Sequence, residues 1–170
     1  MQVTDDRLYV AYRTNDPSLL ANGADDPGHI FLTGGGLDLM LRTRPDASGA
    51  DPAPGDVRLV VAERDGEVAA TLFEAVVPGT PAEARVEFAS PTRSVYFDRV
   101  REVSGEVNLA QKQGVFEFSV PLETLGLDPA SGEAIRGDLG ILRGDGQTTT
   151  ERTYWSNRGT AITSDVPSEA

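Results

Sequence analysis

The chain predicts an all-β fold: a single antiparallel β-sandwich, jelly-roll-like, of about ten strands with one short helical turn. Three observations carry this expectation. Apolar and polar residues alternate with a period of two along most of the chain. Asp-Gly and Gln-Gly pairs separate several of those runs. Finally, 18 Gly and 11 Pro punctuate 170 residues in which helical periodicity is nearly absent. At 39% hydrophobic residues, a chain of this length supplies one domain with a real core. No repeat or linker divides it, so residues 1–170 read as one sandwich domain. Its abrupt start and its stop on Pro167-Ser-Glu-Ala170 suggest a piece excised from something longer.

The elements follow in order. Leu8, Val10 and Tyr12 face one way while Arg7, Tyr9 and Arg13 face the other, as in a half-buried strand. Leu37, Leu39 and Leu41 alternate with Asp38, Met40 and Arg42. Val57, Leu59 and Val61 alternate with Arg58, Val60 and Ala62. Further strands are expected over 68–77, 85–88, 95–103, 107–111, 115–120, 137–143 and 150–155. Asp65-Gly66, Gln113-Gly114 and Asp145-Gly146 sit between such runs, and both residue types tolerate the positive φ of a type I′ hairpin turn. Pro121-Leu-Glu-Thr-Leu-Gly126 reads as the single helical turn, with Pro at its start and Gly ending it. Asn15 to Gly28 and Pro45 to Gly55 are too rich in Pro, Gly, Asp and Ala for strands and read as long loops, where binding on a β scaffold usually sits.

Charge narrows the partners. Fifteen Lys plus Arg against 27 Asp plus Glu give a formal charge of -12, whose field repels phosphate backbones and anionic membranes. Nucleic acid is therefore excluded as a partner, and no run reaches the length of a membrane span. The N-terminus lacks the basic and apolar regions of a signal peptide. Cysteine is absent, which removes disulfides, thiolate metal sites and thiol nucleophiles together.

Catalysis finds little support. The one histidine, His29, lies in a loop with no Gly-x-Ser-x-Gly elbow in the chain, and His-x-x-x-His, Walker A and dinucleotide fingerprints are missing. A pair of glycosidase carboxylates has no sequence signature among 27 acidic residues. The domain is read as non-catalytic. Calcium is the cation that the oxygen-rich segments Asn22-Gly-Ala-Asp25-Asp26 and Asp128-Pro-Ala-Ser-Gly-Glu133 would take. Neither has EF-hand spacing, and Asp beside Gly or Pro is ordinary turn chemistry, the favoured reading.

The densest chemistry lies in Arg152-Thr-Tyr-Trp-Ser-Asn-Arg158, which holds the only Trp. An aromatic plane beside hydrogen-bonding groups suits a sugar, whose C–H face stacks while its hydroxyls need directional partners. Trp155 is the expected platform, with Tyr154, Arg152, Asn157 and Asp138 as polar partners and an oligosaccharide or polysaccharide as ligand. Exposure discriminates the alternative: a ligand-stacking Trp155 presents a face, whereas a core Trp is covered.

The order of Leu8-Tyr-Val-Ala-Tyr-Arg13, a loop with Asp25-Asp26, Leu37-Asp-Leu-Met-Leu41, the hairpin from Val57, Pro121-Leu-Glu-Thr-Leu-Gly126, Arg136-Gly-Asp-Leu-Gly140 and Arg152-Thr-Tyr-Trp-Ser-Asn157 carries a family likeness. It resembles the DOMON-like, family 9 carbohydrate-binding-module-like sandwiches of bacterial extracellular proteins. The resemblance implies an extracellular or periplasmic setting, neighbouring domains in a parent protein, and a ligand on one face or at one end. Sugars are implied for one branch and haem for the other. The sugar-binding members clamp a terminal sugar between two aromatic rings, so beside the one Trp the second plane would fall to Tyr154, Tyr12, Tyr9 or Tyr96. The haem branch uses Met with His or Lys, for which this chain offers Met40, His29 and Lys112. Met40 among Leu residues reads as packing, and Lys112 as an exposed hairpin position, so no cofactor is assigned. A structural or protein-interaction module is the remaining alternative.

Overall fold

A computed structural model describes residues 1–44, 51–89, 94–132 and 134–156. Among them, twelve strands and no α-helix are present: β1 Gln2–Thr4, β2 Arg7–Arg13, β3 Gly36–Arg42, β4 Asp56–Arg64, β5 Glu67–Glu74, β6 Val86–Ala89, β7 Ser94–Phe97, β8 Arg99–Glu102, β9 Asn108–Lys112, β10 Val115–Pro121, β11 Arg136–Gly144 and β12 Thr149–Tyr154. They form a four-stranded sheet in the order β1-β2-β10-β9, a six-stranded sheet in the order β12-β11-β3-β4-β5-β8, and the small hairpin β6-β7. All strand pairings are antiparallel, giving the expected all-β, sandwich-like fold.

The turns show how locally the register is set. Asp65 and Gly66 both have positive φ, 55° and 82°, as do Gln113 and Gly114, 51° and 74°, so each closes a tight two-residue hairpin. Asp145-Gly146 departs from this expectation. Only Gly146 has positive φ, and the loop is longer, with the Asp145 carboxylate accepting from the amides of Gln147 and Thr148. The Pro121 segment forms the expected turn, a 3-10 turn at Glu123–Leu125 ended by a left-handed Gly126. Four more 3-10 turns accompany it, at 27–29, 82–84, 104–106 and 129–131. The 95–103 run is two strands, because β7 leaves for its hairpin with β6 before β8 joins β5.

Alternation fills the space between the two large sheets. Leu8, Val10 and Tyr12 meet Leu37, Leu39, Leu41, Leu59, Val61 and Leu72, with Phe116, Phe118 and Val120 completing the cluster. The six-stranded sheet also buries its other face, where half-buried strands were expected to meet water. Val60, Ala62, Phe73 and Leu142 pack there against Ile30 and Phe31 of the long loop and against Phe97 of the hairpin. Four aromatic rings interlock at that cover: Phe31, Phe73, Phe88 and Phe97, mostly edge to face. The loop is held by Asn22, whose amide donates to the carbonyls of Ile30 and Gly35 while its oxygen accepts from the Ala24 amide and the Thr33 hydroxyl. All the hydrogen-bonding capacity of that buried side chain is used.

Burial on both faces explains an otherwise costly set of charges. Asp38, Arg42, Asp56, Arg58 and Asp138 are buried on the outer face of the six-stranded sheet. Such charges are tolerated only when paired and hydrogen-bonded. Arg42 donates to both oxygens of Asp56 at 2.7 Å, which holds its guanidinium pKa above the ordinary value. Arg58 donates through Nε and Nη2 to Asp38, the shortest contact 2.7 Å, and its guanidinium lies 4.6 Å from the centre of the Phe31 ring.

Candidate functional site

The expected site residues lie on β11, β12 and the residues just after them. In register, Gly140 faces Tyr154 and Leu142 faces Arg152, so these four share the buried outer face. Gly140 is required there: a Cβ at this position would meet the Tyr154 ring at 2.4 Å, so the ring lies over the bare backbone of the neighbouring strand. The Tyr154 hydroxyl donates to Asp38 at 2.8 Å. Burial, followed by the Asp38 charge, pushes its phenol pKa far above the ordinary value. Tyr12 approaches from the other sheet and donates to the Asp38 carbonyl at 2.8 Å, and burial raises its phenol strongly as well.

Trp155 takes the opposite side. Its amide donates to the Leu139 carbonyl at 2.9 Å, which extends the β11–β12 ladder by one pair, and alternation turns its ring away from Tyr154. The residue is 75% exposed. It is therefore not a core Trp, the alternative that exposure was to decide. Its main chain is nevertheless tied down. The Asp138 carboxylate accepts from the amides of Leu139 and Ser156, at 2.9 and 3.0 Å, and so ties the chain on the far side of Trp155 back to β11.

Of the five expected site residues, the structure thus brings Tyr154, Arg152 and Asp138 to one buried face and sets Trp155 on the other. Arg152 donates to the Phe31 carbonyl at 3.2 Å and lies 5.6 Å from the centre of that ring. Asn157 lies outside the described residues. The side chains that share the face of Trp155 are Thr153 and Glu151 on β12 and, on β11, Arg143 together with the half-buried Leu139 and Ile141 that pack against the core. Arg143 donates to Glu151 at 3.4 Å and to Thr153 at 3.5 Å, and Thr153 donates to Glu151 at 3.0 Å. The result is an exposed strip along an edge strand: an indole at one end, a guanidinium at the other, a hydroxyl and a carboxylate between. Alternation alone identifies these three.

The other candidates separate. Tyr12 is buried with Tyr154, while Tyr9 lies on the solvent side of the four-stranded sheet and Tyr96 on the β6–β7 hairpin, its hydroxyl donating to Glu87. The candidate haem ligands are not brought together. Met40, Arg58 and Phe73 form one row across β3, β4 and β5, and His29 meets Phe88 edge to face beyond Phe73, so two buried side chains stand between Met and His. Lys112 is on the other sheet. Asp26 and Asp128 each cap a 3-10 turn by accepting from the amide two residues on, the turn chemistry expected of them. Among the described residues no group of three or more acidic or histidine side chains is placed to hold a metal ion.

Fold and edge together define a sandwich-like β domain with an exposed aromatic at the end of an edge strand. No family model, curated protein or solved structure matches the chain.

Proposed function

We propose that the domain is a non-catalytic carbohydrate-binding module in which Trp155 is the stacking platform. The observation that carries the reading is a Trp that is 75% exposed yet pinned on both sides by β11. An exposed indole offers apolar surface for a flat ligand to cover, and a main chain already tied down loses little freedom when that happens. Thr153, Glu151 and Arg143 supply the directional donors and acceptors that sugar hydroxyls need. Tyr154 and Asp138 serve this platform from behind, by fixing the backbone that bears it.

The single Trp makes the test direct. Intrinsic fluorescence is followed while a panel of neutral oligosaccharides is titrated into the protein. A saturable change in emission with at least one sugar, lost in Trp155→Ala, is the expected result. Unchanged emission across the panel, with equal sugar retention by both proteins on affinity electrophoresis, would remove Trp155 from any sugar site.

A further inference from the structure

Four residues along the strip from Trp155, about 13 Å at the rise of a strand, Arg143 opens onto a groove at the end of the sandwich. The groove is shallow and open, and is lined by Arg13, Arg143 and the segment Thr14 to Pro17. Its two guanidiniums are a local reversal in a chain of formal charge -12. Arg13 is exposed at the end of β2 and enters no ion pair among the described residues. Lys112 stands in register two strands away, on the same solvent face, also unpaired among the described residues. The one acidic lining residue, Asp16, turns a carboxylate oxygen to the amide and hydroxyl of Ser18, at 3.0 and 2.8 Å.

We infer that the strip continues into this groove and that the ligand is an acidic oligosaccharide: one ring stacks on Trp155 while a uronate carboxylate is held by Arg13 and Arg143. Guanidinium forks match a carboxylate in two parallel hydrogen bonds, which a neutral sugar cannot offer. The formal charge of -12 works against an anionic ligand at long range, but beyond about 8 Å it is screened at physiological salt, and the groove lining sets two arginines against one aspartate. Glu151 is the built-in competitor. It holds Arg143 when no ligand is bound and yields it to a ligand carboxylate.

The inference rests on Trp155 as the platform, and the test separates the two. Binding of trigalacturonate and of its carboxyl-reduced neutral counterpart is measured by calorimetry on the unmodified chain, on Trp155→Ala and on Arg13→Ala/Arg143→Ala, each checked for an unchanged melting temperature. The acidic trimer is expected to bind at least tenfold tighter than the neutral one. The double arginine variant should abolish that advantage, bringing the acidic trimer down to the affinity of the neutral one, while Trp155→Ala weakens both. Raising the salt should erase the advantage in the unmodified chain, and Glu151→Gln should enlarge it several-fold. Equal affinity for the two trimers, or an advantage that survives the double substitution, overturns the acidic-ligand assignment and leaves the platform standing. Binding of the acidic trimer that is untouched by Trp155→Ala overturns the platform, and with it the continuous strip. No binding of either trimer overturns the acidic-ligand assignment.

Discussion

Adjacent residues on one strand give the sharpest contrast, because Trp155 and Tyr154 point to opposite sides of the same sheet. A fully buried Trp covers roughly 150–250 Å². With Trp155 75% exposed, only about a quarter of that is covered, so at about 25 cal/mol/Å² the folded state owes it about 1 kcal/mol. Trp155→Ala should therefore lower the melting temperature by only about 2–4 °C in a domain of this size. Loss of a stacking anchor costs about 1–3 kcal/mol of binding, or roughly 5- to 150-fold in Kd. Tyr154→Phe reverses the pattern. It removes the hydroxyl that Asp38 accepts at 2.8 Å, and a hydrogen bond to a buried charged group contributes about 1.5–3 kcal/mol to stability. Sugar affinity should stay within about twofold, since the phenol faces away from the strip. Urea denaturation and calorimetric titration of both variants read the two quantities separately. A Trp155→Ala protein that loses more than about 3 kcal/mol of stability, or a folded Tyr154→Phe protein that no longer binds, would refute the division of the two faces.

Three further outcomes follow from the network behind the platform. Asp38→Ala leaves the wholly buried Arg58 without its carboxylate and should cost about 3–5 kcal/mol in urea denaturation, with Asp38→Ala/Arg58→Met recovering part of the loss. Gly140→Ala drives a methyl into the Tyr154 ring and should cost about 1–3 kcal/mol by the same assay, where a substitution costing nothing would show that the ring is not seated on β11. Alkaline pH acts through Tyr12 and Tyr154, whose pKa values are raised in the fold by burial. The unfolded phenols ionise near pH 10 and the folded ones do not, so the stability from these groups is complete below about pH 10 and falls above it. Each contributes up to about 1.4 kcal/mol per pH unit, and their phenolate absorbance should rise in step with unfolding; a titration of both phenols in the folded state would contradict the assignment.

Period-two alternation in the sequence carried most of the strands, and positive-φ residue pairs carried two hairpins. It also contained the division between Trp155 and Tyr154, since neighbours on a strand must face opposite ways; grouping Arg152, Tyr154 and Trp155 as one cluster overlooked it. The second buried face was not legible. Its cover comes from the irregular segment around Asn22 and Phe31 and from a detached hairpin, neither of which advertises a packing partner through periodicity. Asp38 and Arg58 carried a signal nonetheless: single charges set in Leu37-Asp-Leu-Met-Leu41 and Val57-Arg-Leu-Val-Val61, apolar on both sides, are what a strand buried on both faces looks like. Arg13 and Arg143 are 130 residues apart on strands of different sheets, and only the assembly of the two sheets brings them onto one groove.

The parity of β12 also bears on how such a domain can change. Even-numbered positions, Arg152 and Tyr154, lock the strand to the body of the protein, whereas the odd-numbered positions Glu151, Thr153 and Trp155 are exposed. Variation at the odd positions can therefore be sampled, by mutation or in a library, with little penalty to folding. One edge strand thus offers three alternate positions at which the proposed ligand preference can be rewritten while the scaffold stays the same.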